Sequence, residues 1–84
     1  MLNNGDSQID DMSFDPAKRA KSLEAQDLDF VDALLVFGGR TATVRDDDGE
    51  DRYITAGYLR GRYVVMVWIP QVAGRHMISM RYAH

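Results

Sequence analysis

Cysteine is absent from the 84 residues, which removes disulfide staples and thiolate metal ligands. Histidine is scarce. His76 and His84 stand eight residues apart while the carboxylates gather elsewhere, so neither a metal site nor a cofactor is expected. No long apolar run exists. The longest, "YVVMVWIP" over 63–70, falls well short of the roughly 20 residues that span a bilayer. The N-terminus is polar and has no apolar signal-peptide core, so nothing directs export and a cytoplasmic protein is the expectation. Acid is missing from the whole second part of the chain: nothing after Asp51 carries a carboxylate side chain.

What is there begins with that imbalance. The net charge is −3. Residues 1–51 hold all 13 acids and 5 bases, for −8; residues 52–84 hold 5 arginines and no acid, for +5. Such a split suggests a polyanion-binding surface built from the C-terminal half. The simpler reading is a sheet whose arginines pair with acids of the other half. The 45% hydrophobic content excludes full disorder, and the length makes one domain.

Local signals divide the chain into elements. Residues 1–12, "MLNNGDSQIDDM", are polar, acidic and aperiodic, which predicts a flexible leader before one domain over 13–84. Asp15 followed by Pro16 starts a helix over 16–26, as N-cap and preset first helical residue. A second helix begins after Asp29. Phe30, Ala33, Leu34 and Phe37 form its apolar stripe, and Gly38-Gly39 ends it in a left-handed turn. The period then changes. "RTATVR", "RYITAGYL", "YVVMVWI" and "RHMISMRY" read as strands, separated by the turns "DDDGED" and "RGR" and by Pro70 with "QVAG". The third strand is apolar on both faces and should be central. The order predicts an α+β fold: two N-terminal helices packed on a four-stranded, mostly antiparallel sheet.

Strict alternation along the last strand puts Arg75, Met77, Ser79 and Arg81 on one face and His76, Ile78, Met80 and Tyr82 on the other. On the preceding strand, Arg62 and Trp68 share a face. An exposed Trp68 is a stacking platform for a base; the competing reading makes it core.

"FDPAK" opening a helix, then "DF-x-x-A-x-x-VF", "GEDRYITAGYLRGRYVVMVW" and "RHMISMRYA" together resemble the BrnT family of toxins, from about Phe14 to Ala83. The resemblance implies a RelE-like fold and a metal-independent ribonuclease that inhibits translation. It implies a type II toxin–antitoxin module with a cognate BrnA-like antitoxin, which also represses their shared operon, so that DNA is met only through the antitoxin. Two departures stand out. Where the family usually has Lys-His-Gly between its helices, this chain reads Ala25-Gln26-Asp27. The family's basic C-terminal helix is also absent, as the residues stop at His84.

Metal-free RNA cleavage makes the 2′-hydroxyl attack its own phosphate. It needs a proton acceptor, a proton donor for the leaving 5′-oxygen, and a cation over the phosphoryl oxygens. Arg81 and Arg75 are the expected cations. His76 is the imidazole candidate for the proton transfer, and Glu50 is the carboxylate that matches the family. Glu50 has a competing reading as a solvated turn residue paired with Arg52. Arg62, Trp68, Lys18, Lys21 and Arg52 are the expected RNA contacts, with a solvated helix face as the plain alternative for the two lysines. Two further functions stay open. One is a catalytically weak or inactive module that binds an antitoxin for autoregulation; the other is a degenerate or purely structural homo-oligomer, a homodimer being one form of it.

Overall fold

The computed structural model describes residues 7–46, 51–72 and 74–83. Its elements run β1 (Ser7–Ile9), β2 (Met12–Phe14), α1 (Pro16–Gln26), a 310 turn (Phe30–Asp32), α2 (Ala33–Phe37), β3 (Thr41–Asp46), β4 (Arg52–Leu59), β5 (Arg62–Gln71) and β6 (Gly74–Tyr82). The strands form one six-stranded sheet in the order β1-β2-β6-β5-β4-β3. Every pairing is antiparallel except β2 with β6, which is parallel. The expected four-stranded sheet under two N-terminal helices is therefore corrected to a six-stranded mixed sheet with one full helix and one short one. No described helix is long and apolar enough to cross a membrane.

The two added strands come from the stretch expected to be a leader and its border. Asp10 takes a left-handed φ of 55°, and the two-residue turn Asp10–Asp11 folds Ile9 back against Met12. Aspartate tolerates that conformation better than most residues. Met12 and Phe14 then enter the core, and Ser13 is buried on the other face. Three residues are too few to show alternation, so composition hides the strand.

α1 starts as its sequence dictates. The Asp15 carboxylate accepts from the Ala17 amide at 2.9 Å, with Pro16 first in the helix. It ends at Asp27, whose φ of 57° is the left-handed cap; its amide donates to the Leu23 and Ser22 carbonyls. Asp29 caps the next segment by accepting from the Val31 amide at 3.1 Å. That segment makes one 310 turn before five α-helical residues. Gly38 closes it with a right-handed φ of −75° rather than the expected left-handed turn.

Both helices lie on one face of the sheet. The core there contains Met12, Phe14, Leu28, Phe30, Ala33, Val36, Leu59, Val64, Met66, Met77 and Met80. Phe14 and Phe30 meet edge-on with centroids 6.1 Å apart. Each buried side chain of this size contributes about 1.5–3 kcal/mol. α2 reaches β4 at Gly57, where a Cβ would stand 2.7 Å from Val36 Cγ1. The other face carries no described helix. Cross-strand pairing sets Ala42 and Val44, Ile54, Ala56 and Tyr58, then Tyr63, Val65 and Val67 side by side on it.

Pro70 was expected to end the third of the four strands, yet β5 continues to Gln71. Pro70 pairs with Arg75, whose own amide turns away to the Asp11 carbonyl at 2.8 Å. The two strands thus exchange no bonds at this pair, and β4 pairs no further than Trp68. The amide hydrogen that proline lacks has no ladder partner to lose.

Arg19 ties α1 to the Asp29 cap through a two-pronged bond, Nε to Oδ1 at 2.7 Å and Nη2 to Oδ2 at 2.9 Å. That bond holds the Asp29 carboxyl below its ordinary range. A depressed folded value means that the folded state binds fewer protons on acidification than the unfolded chain does. The contribution is therefore complete above about pH 4 and is lost as pH falls through the lower folded value. In urea titrations, Asp29→Asn should flatten the fall of stability below pH 4 relative to the unmodified chain.

Gly74 (φ 145°) lies against the β1–β2 turn, and a Cβ there would stand 1.8 Å from the Asp11 carbonyl oxygen. Gly74→Ala should cost more than about 1 kcal/mol in urea midpoint, by pushing the β1–β2 hairpin off β6.

Candidate functional site

β6 carries three of the four expected catalytic side chains, Arg75, His76 and Arg81, and its register decides where each one faces. Opposite β5, Val67 pairs with Ser79 but Trp68 pairs with Met77. Ile78 is the extra residue of a β-bulge. A single inserted residue reverses the alternation beyond it. Arg75 therefore falls on the helix face with Met77, Met80 and Tyr82. His76 joins Ser79 and Arg81 on the open face. The expectation that Arg75 shares a face with Arg81, and His76 does not, is reversed by this bulge.

Arg75 is built into the fold. Its guanidinium lies 4.0 Å from the Phe37 ring centroid and 5.2 Å from that of Trp68, with Asp11 at 4.0 Å. Its Nε is buried without a hydrogen-bond partner, which fits a cation held mainly by ring faces. Trp68 is half-buried on the same side. It stacks on Tyr53 at 5.0 Å, meets Phe37 edge-on at 5.9 Å, and donates its indole N–H to Thr55 Oγ1 at 2.8 Å. Thr55 Oγ1 also lies 2.8 Å from Thr43 Oγ1. Arg62 lies on the helix side too, its guanidinium 3.6 Å from the centroid of the Tyr82 ring.

Arg52 pairs with Asp46 at 3.3 Å. That contact is close enough for an ion pair, but it lacks hydrogen-bond alignment at Nε. Glu50 lies outside the described residues. Lys18 and Lys21 project from α1 into a groove of about 320 Å³ against β6, together with Ser22, Ala25, Gln26, Ile78 and Ser79. Gln26 crosses this groove and donates to the Met80 carbonyl at 3.4 Å.

These placements resolve the charge imbalance. Of the five C-terminal arginines, Arg52, Arg60 and Arg75 pair with Asp46, Asp32 and Asp11 of the acidic half. The Arg62 guanidinium lies over the Tyr82 ring while remaining exposed. Arg81 is exposed on the open face and has no ion-pair partner among the described residues.

His76 is positioned from behind. Its Nδ1 lies 2.8 Å from Ser13 Oγ, and Ser13 donates to Gln71 Oε1 at 3.2 Å. The Ser13 hydroxyl thus lies between Gln71 and the Nδ1 side of the His76 ring, and it fixes how that ring is turned. Ser13 is 4% exposed, so this support is dry and fixed. His76 and Arg81 are roughly 13 Å apart at their Cα atoms, because their partners Ile69 and Val65 are four steps apart on β5 at about 3.3 Å each. With Ser79 between them, the two side chains can reach one phosphodiester. An imidazole, a hydroxyl and a guanidinium with no ion-pair partner among the described residues thus share one face of β6. Among the described residues, no three His, Asp or Glu side chains gather as a metal-ligand set.

Sequence reasoning missed the aromatic pair on the same face. Tyr58 and Tyr63 are cross-strand partners with centroids 5.1 Å apart, and they are 63% and 44% exposed. The signal was available: two tyrosines flank the two-residue turn Arg60–Gly61 at positions that must pair.

Comparison with known proteins gives one finding. The family model for the ribonuclease toxin BrnT of type II toxin–antitoxin systems matches residues 14–84. No curated protein and no solved structure matches the chain.

The two strand-end arginines should separate in stability measurements. Arg75→Gln should lower stability by about 1 kcal/mol, through loss of its ring contacts. Arg81→Ala should stay within about 0.5 kcal/mol of the unmodified chain in urea titrations, as exposed positions do.

Proposed function

We propose a function from a premise that the family match supplies: the chain belongs to the BrnT family of ribonuclease toxins of type II toxin–antitoxin systems. On this reading the protein is a metal-independent endoribonuclease. It cuts RNA in the cytoplasm, thereby inhibits translation, and is held in check by a BrnA-like antitoxin. The observation that carries the reading is the bulge at Ile78, which sets His76, Ser79 and Arg81 on one open face.

The mechanism follows from what those groups can do. The phosphodiester lies over Ser79. Arg81 is always charged, and its planar fork contacts the non-bridging oxygens, where negative charge grows as the 2′-oxygen attacks. Imidazole Nε2 of His76 accepts the 2′-hydroxyl proton while Ser13 holds the opposite ring nitrogen. The 2′-oxygen bonds to phosphorus, the bond to the 5′-oxygen breaks, and that oxygen takes a proton from water. The products are a 2′,3′-cyclic phosphate and a 5′-hydroxyl. Lys18 and Lys21 lie in the α1 groove on the helix side of the sheet, across β6 from this face, and take no part in the step.

One observation favours a second reading, in which the chain binds an antitoxin without cutting RNA. The positions matching the family's Lys-His-Gly are Ala25-Gln26-Asp27. Gln26 is engaged with a β6 carbonyl and Asp27 with a helix cap. The helix junction therefore supplies no cation.

The test incubates purified protein with end-labelled single-stranded RNA in EDTA, beside the Arg81→Ala variant. The expected outcome is cleavage by the unmodified chain that falls at least tenfold in the variant, about 1.4 kcal/mol of transition-state stabilisation. Equal cleavage would remove Arg81 from the site. No cleavage by folded, unmodified protein would favour the binding-only reading.

A further inference from the structure

We infer that Arg40, Tyr58 and Tyr63 form a nucleotide-binding subsite on the open face, next to Arg81, which holds two stacked bases of single-stranded RNA without reading their identity. The inference rests on the ribonuclease reading and deepens it by naming where the substrate lies.

The geometry comes from three registers. Tyr58 pairs with Tyr63 across β4 and β5. Thr41 pairs with Gly57, so Arg40, one residue before β3, falls opposite Tyr58 in the continued register. The Ala83 amide donates to the Tyr63 carbonyl at 3.0 Å, and Arg81 pairs with Val65, so Arg81 is the diagonal neighbour of Tyr63. A row therefore crosses the sheet: cation, ring, ring, cation. Its ends are three strand spacings apart, roughly 14 Å at about 4.8 Å per strand.

The chemistry of the row selects its ligand. Arg40, Tyr58 and Tyr63 line one shallow pocket of about 320 Å³ together with Ala42 and Ala56. Neither Arg40 nor Arg81 has an ion-pair partner among the described residues. An apolar protein partner would leave both guanidiniums uncompensated. A single RNA strand satisfies every member at once, with phosphates at the two cations and bases against the two rings. Stacking is indifferent to base identity because every base has a π-face. The row ends at Arg81, so RNA held there delivers the next phosphate toward Ser79 and His76.

The test measures binding separately from cleavage. A fluorescein-labelled RNA decamer with 2′-O-methyl riboses throughout has no attacking hydroxyl. Its affinity is read by anisotropy for the unmodified chain and for Tyr58→Ala, Tyr58→Phe, Tyr63→Ala, Arg40→Ala and Arg81→Ala. Each alanine variant at a tyrosine should bind about 5- to 100-fold more weakly, while Tyr58→Phe stays within about twofold because the ring remains. Arg40→Ala should weaken binding and shallow its salt dependence by about one phosphate contact. All these side chains are exposed, and thermal midpoints confirm that each variant folds. If Arg81→Ala weakens binding but the tyrosine variants do not, the subsite is wrong and the ribonuclease face stands. If none of the variants changes affinity, both are wrong. If the tyrosine variants keep RNA affinity but alter the sedimentation coefficient, the row is a protein interface and the inference falls.

Discussion

The extra residue at Ile78 governs what this sheet presents to its surroundings. A strand offers only two faces, and one inserted residue exchanges them for everything on its far side. Without the bulge, Arg75 would leave the Phe37 and Trp68 rings, and His76 would be driven into the methionine-rich core. With it, both ends of β6 are satisfied. Met77 and Met80 are each almost fully buried although they are three residues apart, a spacing that a regular strand cannot bury on one side. The core therefore requires the bulge, and the grouping of His76, Ser79 and Arg81 follows from the core.

Arginine has three uses in this small domain. Arg19 is a structural fork, matched in geometry to a carboxylate that also caps a helix turn. Arg75 and Arg62 lie over aromatic rings; Arg75 is half-buried there, as a weakly hydrated guanidinium allows, while Arg62 stays exposed. Arg40 and Arg81 are solvated charges with no acid committed to them among the described residues. Lysine would serve poorly in the first two settings, because it lacks both the fork and the flat face. A formal count of +5 in the C-terminal half therefore overstates the charge offered to a ligand, since most of it is neutralised or laid over rings.

Much of the architecture is legible in the sequence where one residue settles one local question. Asp15-Pro16 starts α1, Asp29 caps the following turn, and "RYITAGYL" is β4 from end to end. What escapes depends on partners far along the chain. The three residues of β2 carry no periodicity of their own and become a strand only because β6 lies beside them. The position of the bulge depends on which methionines the core accepts, which is a tertiary decision. Trp68 looks equally suited to stacking a ligand or filling a core, and only the Tyr53, Phe37 and Thr55 contacts decide where it sits. The tyrosine pair was within reach, because a two-residue hairpin turn fixes register by itself.

The parallel pairing of β2 with β6 joins residues 12–14 to 75–77, across almost the whole length of the chain. During synthesis the second of these segments is made roughly 3–13 seconds after the first, at about 5–20 residues per second. Until β6 arrives, Met12 and Phe14 have no sheet to enter, Ser13 has no histidine to orient, and Arg81 has not yet been made. The fold is thus a timer. The sheet stays incomplete until β6 has been made, and only then do residues 12–14 gain the strand that holds them in the core.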